Sequence, residues 1–291
     1  MRVTGPVRTG AGTDLDPREA AFRADLADVA LAGRIAVPHY AAPVLREVRV
    51  ASVALRAGPG AEEVAVSQLL LGERFALLEA AGSTGWGYGL HDHYVGYLDL
   101  DALGRVADDG DGERRLVGAG DGLVLAGPRV KSRVVAPVPA GAELQVQQAD
   151  ERFCEVVAGP FAGTFIHRRH LVAPGLDWVE VAQGFIGSPY RWGGRSRTGV
   201  DCSGLIQLAW KLAGRPARRD SDMLFADAGE DVAEGAPLKR GDIAWWPGHI
   251  GVMVDDARLL HANAYWMTTI VEPLDVVTAR AGEPPKVRRP G

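Results

Sequence analysis

Cysteine is scarce in this chain, with 2 copies in 291 residues, Cys154 and Cys202. Two cysteines are too few for a zinc site built from cysteine, and they form no disulfide framework of the kind found in small secreted domains. A single Cys154–Cys202 disulfide is disfavoured in a reducing compartment. Cys202 therefore has to be weighed as a possible nucleophile.

Long apolar runs and basic segments are also missing. No stretch approaches the ~18 unbroken apolar residues that cross a bilayer, and residues 1–26 lack the charged-then-apolar layout of a signal peptide. The formal net charge is −5, which argues against a nucleic-acid surface. We expect a cytoplasmic protein with neither a membrane nor a nucleic-acid partner; a monomer is plausible, but the sequence leaves the oligomeric state open.

Turn-forming residues are abundant, with 37 Gly and 18 Pro, which favours short strands over long helices. The length suggests two or three domains. Residues 1–47 are predicted to form an N-terminal helical or extended segment. Its helix is predicted over residues 17–32, where apolar residues recur at helical spacing: Ala21, Phe22, Leu26, Val29 and Ala30.

Two stretches, residues 48–105 and 115–174, each contain short β-like runs separated by turns. Gly58-Pro59 recurs as Gly127-Pro128, 69 positions later, and "LGERF" recurs at the same offset as "AGAEL". Repetition at a fixed spacing indicates a duplicated structural unit. The sequence predicts two small β-barrels of similar topology.

Residues 175–291 change texture again. "DWVEVAQGFIGS" is helical with Asp177 as a possible N-cap, and a second helix is predicted over 203–212, stopped by Gly214. Two alternating runs, "GDIAWWPGHIGVMVDD" and "RLLHANA", follow and are typical of antiparallel strands. Helices followed by strands indicate an α+β domain.

Cys202 stands at the start of the second of these helices, behind a glycine-rich loop. The partial positive charge of a helix N-terminus favours the thiolate, so a lowered thiol pKa is expected. His249 and His261 lie on two predicted neighbouring strands, which can bring them together at one end of the sheet. One imidazole would then pair with the thiol while the other orients it. Taken singly, such a cysteine or histidine is more often structural.

The segments "SPYRWGG…DCSGLIQLAW", "GDIAWWPGHIGVMV" and "LLHANA" together strongly resemble the NlpC/P60 cysteine peptidases, whose core is papain-like. By this resemblance Cys202 is the nucleophile, His249 the base and His261 the residue that orients it. Tyr190 would help to stabilise the oxyanion, and Asp201 and Ser203 could bind polar groups of the substrate. The two preceding barrels resemble bacterial SH3 domains, which frequently accompany this peptidase.

The whole arrangement is similar to the γ-D-glutamyl-L-diamino acid endopeptidases (dipeptidyl-peptidase VI type) that recycle murein peptides. The resemblance implies cleavage after D-Glu in L-Ala-γ-D-Glu-diaminopimelate or its lysine equivalent. Asp220 and Ser221 match positions near the free amine of L-Ala, where a carboxylate suits a buried cation. Glu73 and Tyr94 match residues with which the first barrel closes the cleft. Asp220 can equally be a helix N-cap, Glu73 a turn residue and Tyr94 a barrel aromatic.

Two other functions stay open. One is a wall-remodelling hydrolase that the SH3 domains anchor to peptidoglycan, and the other is a hydrolase of the same fold acting on a non-murein amide, since fold alone does not fix function. No metal or organic cofactor is implied. His91 and His93 share one face of a predicted strand but have no evident third ligand.

Overall fold

The computed structural model describes residues 8–9, 15–107, 112–173 and 175–291. The chain divides into two compact units, residues 1–108 and 109–291. Both units are rich in strands, and the four α-helices of the described part all lie in the second unit. No helix in the described ranges is long and apolar enough to cross a bilayer.

The amphipathic helix predicted over residues 17–32 is wrong. This segment consists of turns and bends at residues 17–20 and 24–25, the short strand β2 (Leu26–Asp28) and a 3-10 turn at Val29–Leu31. The N-terminal strands pair as two short ladders: β1 (Arg8–Thr9) with β3 (Ile35–Ala36) and β2 with β4 (His39–Ala41). Aspartate side chains here bind nearby backbone, as Asp16 does to the N–H of Arg18 and Asp28 to that of Ala30. Such local bonds compete with helix formation.

The first unit contains a seven-stranded antiparallel sheet whose strand order is β11-β5-β8-β9-β10-β6-β7. Its first strand begins at Val44, four residues before the predicted start of the domain. The strands are β5 (Val44–Val48), β6 (Ser52–Arg56), β7 (Ala65–Leu70), β8 (Arg74–Ala81), β9 (Thr84–Gly89), β10 (Val95–Asp99) and β11 (Leu103–Arg105). Alternate side chains of these strands enclose one core around Phe75 and Leu98.

The second unit opens with a six-stranded sheet of order β12-β15-β16-β17-β13-β14. Its strands are β12 (Glu113–Leu116), β13 (Gly122–Leu125), β14 (Val134–Val138), β15 (Glu143–Gln148), β16 (Phe153–Val156) and β17 (Thr164–His167). Matched in chain order, these six strands follow the same spatial order as β5 to β10. Gly72 and Gly141 both adopt φ near +80° at the turn before the fourth strand, where residues with a Cβ are strained.

A mixed α and β region completes the second unit. Its central sheet has the order β20-β25-β21-β22-β23-β24. The elements in chain order are α1 (Trp178–Gln183), β18 (Arg195–Ser196), β19 (Gly199–Val200), α2 (Cys202–Leu212), α3 (Ser221–Ala226), β20 (Glu230–Asp231), β21 (Ile243–Trp246), β22 (His249–Met253), β23 (Arg258–Asn263), β24 (Thr268–Pro273), α4 (Leu274–Ala281) and β25 (Lys286–Arg289). The α+β layout predicted for this part of the chain is thus present.

Helix α2 is the central helix of this region. Every residue of it except Lys211 is buried, so it packs on all sides rather than along one stripe. Asp201 caps its first turn by accepting a hydrogen bond from the N–H of Gly204, and Gly214 follows its end at φ +74°. Lys211 reaches the preceding sheet, where its ammonium lies 3.1 Å from the carbonyl oxygen of Gly141 and 2.9 Å from Glu143. This packing therefore fixes the position of Cys202, the first residue of the helix.

Candidate active site

Cys202 is the first residue of α2, and only 6% of its surface is exposed. Its sulfur accepts hydrogen bonds from the backbone N–H groups of Ile250 and Ser203. Ile250 is the second residue of β22, directly after His249. The thiol therefore lies where the helix N-terminus meets the start of this strand.

The protonation state of Cys202 differs from the expectation. Burial, with a smaller contribution from the charge of Asp201, raises the pKa of the thiol to about 12, although the N–H groups of Ile250 and Ser203 and the charge of Arg219 act in the opposite sense. Desolvation of an anion outweighs a few hydrogen bonds when the group is almost completely enclosed. The resting group is a neutral thiol, which needs a base before it can attack.

The two histidines meet on adjacent antiparallel strands. His249 begins β22 and His261 lies in β23. Nε2 of His249 is 2.8 Å from Nδ1 of His261. This contact uses one nitrogen of the His249 ring and leaves Nδ1 for another partner.

Both imidazoles are neutral at pH 7. Burial, followed by the proximity of His261, lowers the pKa of His249 to about 4. Burial also lowers the pKa of His261, and the hydrogen bond to Glu272 offsets this only in part. A neutral imidazole can accept a proton and so act as a general base.

Glu272 lies behind His261, and the sequence reasoning missed it. Its Oε2 is 2.8 Å from Nε2 of His261, and Arg280 and Trp266 also donate to this carboxylate. Burial alone would raise the pKa of Glu272, but these donors outweigh it and lower the pKa to about 2. One signal was available: a lone acidic residue in the apolar strand "TTIVEP". Buried carboxylates require partners, so such a residue is informative.

Tyr190 lies close to the thiol. Its N–H donates to the carbonyl oxygen of Met267 at 3.0 Å, and its backbone forms a parallel bridge with Val200, two residues before the cysteine. Burial, followed by the charge of Cys202, raises the pKa of its phenol above the usual value. The hydroxyl therefore stays protonated and can donate a hydrogen bond.

Asp201 and Ser203 are engaged by the protein itself. Arg219, only 1% exposed, donates to both oxygens of Asp201 at 3.0 and 2.5 Å and to the hydroxyl of Ser203 at 2.8 Å. Asp201 also accepts hydrogen bonds from the backbone N–H groups of Gly193 and Gly204. The structure thus gives both side chains a structural partner that the sequence reasoning overlooked, Arg219, and their part in substrate binding stays a prediction.

Asp220 and Ser221 stand at the start of α3. Asp220 occupies the N-cap position of α3, as its alternative reading has it, although its side chain makes no capping hydrogen bond. Both residues are partly buried. Their proposed contact with a substrate amine stays a prediction.

Glu73 and Tyr94 belong to the first unit. Glu73 is 1% exposed and accepts a hydrogen bond from the N–H of Leu70 at 2.9 Å in the turn between β7 and β8. Tyr94 is 6% exposed and packs in the core of the seven-stranded sheet. The structure thus gives each residue a role within its own sheet, and their part in substrate binding stays a prediction.

An open cavity of about 290 Å³ adjoins the two histidines. Its lining includes His249, His261, Asn263, Tyr265 and Arg280. Within the described ranges, no group of three or more His, Cys, Asp or Glu is arranged to hold a metal ion. Cys154 and Cys202 are both free and buried.

Two segments of the chain match known families. Residues 187–275 match the NlpC/P60 family and residues 55–103 match the bacterial dipeptidyl-peptidase Sh3 domain. Dipeptidyl-peptidase 6 of Lysinibacillus sphaericus is 36% identical over 93 residues, which are 29% of this chain and 31% of that protein. The γ-D-glutamyl-L-lysine dipeptidyl-peptidase of Bacillus subtilis is 33% identical over 95 residues, or 30% of this chain and 31% of its own.

The matched segment thus spans about a third of the length of each of these relatives. A solved NlpC/P60 family protein from Bacillus cereus shares the fold over 84% of this chain and 99% of its own, with a TM-score of 0.74 and 17% sequence identity. The resemblance noted in the sequence is therefore confirmed for these two domains.

Proposed function

Starting from an NlpC/P60 domain and a bacterial SH3 domain, we propose that this protein is a cysteine peptidase that recycles murein peptides in the cytoplasm. It hydrolyses the bond between γ-D-Glu and an L-diamino acid in peptides that begin with a free L-Ala. The observation that carries this proposal is the buried Cys202 thiol at a helix N-terminus, beside a strand whose His249 contacts His261.

The first step begins from a neutral pair. Because Nε2 of His249 is engaged by His261, Nδ1 is the atom that takes the proton from Cys202 as the sulfur attacks the amide carbonyl. The Tyr190 hydroxyl and a backbone N–H at the start of α2 donate to the oxyanion that forms. The proton passes from the Cys202 sulfur to the His249 imidazole. The charges created are therefore an imidazolium and the oxyanion, both within the site.

The second step returns that proton. The His249 imidazolium protonates the nitrogen of the leaving diamino acid, the C–N bond breaks, and a thioester to Cys202 remains. Water then attacks the thioester carbonyl while His249 takes its proton; the C–S bond breaks, the dipeptide leaves as the free acid, and His249 returns the proton to the Cys202 sulfur.

The choice of bond is supported by the relatives. One of them is named for the γ-D-glutamyl-L-lysine bond, and the other is a dipeptidyl-peptidase. Release of a dipeptide requires that the substrate's free N-terminus be bound at a fixed distance, two residues, from the bond that is cleaved. A carboxylate that binds the free amine sets this distance, and Asp220 is our proposal for it.

Mass spectrometry of the products tests the proposal. The protein is incubated with L-Ala-γ-D-Glu-meso-diaminopimelate, with its lysine equivalent, and with N-acetylated forms of both. We expect release of the diamino acid from the free-amine peptides only. Cleavage of the acetylated forms would remove the amine pocket from the proposal, and no cleavage of any peptide by reduced enzyme would refute the substrate class.

Matched cysteine variants identify the nucleophile. Cys202→Ala is expected to abolish cleavage, because the proposed thioester forms on this sulfur. Cys154→Ala, which changes the other buried cysteine, is expected to retain it. Equal loss in both variants would show that the effect is structural rather than chemical.

A further inference from the structure

The carboxylate of Glu272 is one end of a line of hydrogen bonds that runs through His261 to His249. The side chain is 6% exposed and sits in β24, across from the strand that carries His261. Arg280 donates to its two oxygens at 3.1 and 2.8 Å, and the indole N–H of Trp266 donates at 3.0 Å. These donors keep Glu272 ionised and hold it in one orientation.

The hydrogen-bond line can run in two directions. If Nε2 of His261 carries its proton, it donates to Glu272, and its Nδ1 accepts from Nε2–H of His249. His249 then has an unprotonated Nδ1, the nitrogen that His261 does not engage. If the tautomers are reversed, His249 carries its proton on Nδ1 and cannot accept one from the thiol.

A second hydrogen-bond donor near Nε2 of His261 favours the reversed tautomers. The amide nitrogen of Asn263 also lies 2.8 Å from Nε2 of His261. Asn263 is oriented by its own Oδ1, which accepts a hydrogen bond from the N–H of Trp266 at 2.8 Å, so its NH₂ group faces the imidazole. Without Glu272, that NH₂ would donate to an unprotonated Nε2 and stabilise the reversed line.

When Glu272 is present, it decides which nitrogen of His261 carries the proton. An ionised carboxylate accepts only, so Nε2 of His261 must donate to it. The NH₂ group of Asn263 can donate to the same carboxylate instead, whose Oε2 lies 3.1 Å from the amide nitrogen. A charged acceptor forms the stronger hydrogen bond, so each donor in the line points toward the carboxylate: His249 donates to His261, and His261 donates to Glu272.

We propose that Glu272 is a positioning residue that selects the tautomers of His261 and His249 and so leaves Nδ1 of His249 free to receive the Cys202 proton. Glu272 does not itself take that proton; after the transfer it stabilises the imidazolium through His261. This inference rests on the proposed function only in taking Cys202 as the nucleophile. It does not depend on which amide is cleaved.

Nuclear magnetic resonance of the resting wild-type protein tests the selection directly. Long-range proton–nitrogen spectra of protein labelled at histidine nitrogens distinguish the two neutral tautomers. We expect protonated Nε2 and unprotonated Nδ1 in both His249 and His261 at pH 7. A His249 ring protonated at Nδ1 would overturn the proposal without any variant being made.

The variant Glu272→Gln adds a kinetic test, with Glu230→Gln, the same change at an exposed position of the same unit, as the matched control. We expect Glu272→Gln to lower kcat on the order of a hundredfold or more with little change in KM, as loss of a tautomer-selecting carboxylate does elsewhere. Alkylation of Cys202 by iodoacetamide at pH 7 should slow as well. Both tests are made on protein shown to be folded by circular dichroism.

The outcomes separate the two proposals. Slow alkylation and a reversed tautomer in Glu272→Gln support this inference even if no murein peptide is cleaved by the wild type. Normal alkylation and normal tautomers in the folded variant refute it, even if the wild type cleaves the expected bond. If Glu272→Gln does not fold, the wild-type spectra decide.

Discussion

At the residue scale, burial controls the acid–base chemistry of the site. It raises the pKa of Cys202 to about 12 and lowers that of His249 to about 4, so both groups are uncharged over the range between these values. An enclosed pair avoids the cost of two desolvated charges until a substrate arrives. The helix N-terminus then assists the thiolate as it forms rather than in the resting state.

This neutrality can be observed in the ultraviolet absorbance of the thiolate. Difference spectra between Cys154→Ala and the double variant Cys154→Ala/Cys202→Ala isolate the contribution of Cys202. We expect no thiolate absorbance from pH 5 to pH 9, with its appearance only as the pH nears the raised pKa. A thiolate signal that is complete at neutral pH would show a preformed ion pair and contradict the neutral pair.

At the element scale, the loop before α2 is held by a buried ion pair. Arg219 binds Asp201 and Ser203, and Asp201 in turn caps the helix whose first residue is Cys202. The pair ties the segment before α3 to the N-terminus of α2. The position of the thiol therefore depends on a contact between residues 18 positions apart.

Removing Arg219 should destabilise the second unit strongly. In Arg219→Met the Asp201 carboxylate stays buried without its cation, and loss of one partner of a buried pair costs about 3–5 kcal/mol. Urea unfolding, followed by tryptophan fluorescence, measures this change. Arg258→Met, which breaks the exposed pair with Asp255, is the matched control and should leave stability near wild type. Similar midpoints for the two variants would contradict the structural role assigned to Arg219.

At the scale of the whole molecule, the two sheets repeat one design. Six strands follow the same spatial order in each, at an offset near 69 residues, and both use a left-handed glycine before the fourth strand. The family match covers the first of them, at residues 55–103. The assignment of the second as an SH3 domain stays a prediction that its strand order supports.

Stability of the second unit should fall with acid over a wide range. Unfolded His249 takes up a proton near pH 6.5 and the folded form only near pH 4, while unfolded Glu272 does so near 4.5 and the folded form near 2. The unfolded state thus binds more protons throughout this range, and stability rises with pH there. Melting temperatures from pH 7 down to pH 3 measure the trend. A His249→Gln variant should show a shallower fall between pH 6.5 and pH 4, and an unchanged slope would refute the assignment.

Much of the fold could be predicted because its signals are local. Asp177 caps α1 as expected, α2 spans the predicted helix within a residue, and His249 begins a strand. Capping, periodicity and glycine turns act over a few neighbours, so a linear pattern contains them. The failure at residues 17–32 is also local: an apolar helical spacing was present, but Asp16 and Asp28 bind backbone N–H groups two residues further on and fix short turns instead of a continuous helix.

The sequence by itself determined where the thiol, the two histidines and the tyrosine lie along the chain, and it identified the family to which their motifs belong. Only the tertiary structure decided three features: the thiol is neutral, Arg219 donates hydrogen bonds to Asp201 and Ser203, and Glu272 contacts His261. Burial and charge pairing depend on every segment that surrounds a group. The burial of a side chain and its charged partners are set only when residues between 201 and 280 have folded together. No short pattern in the sequence contains that arrangement.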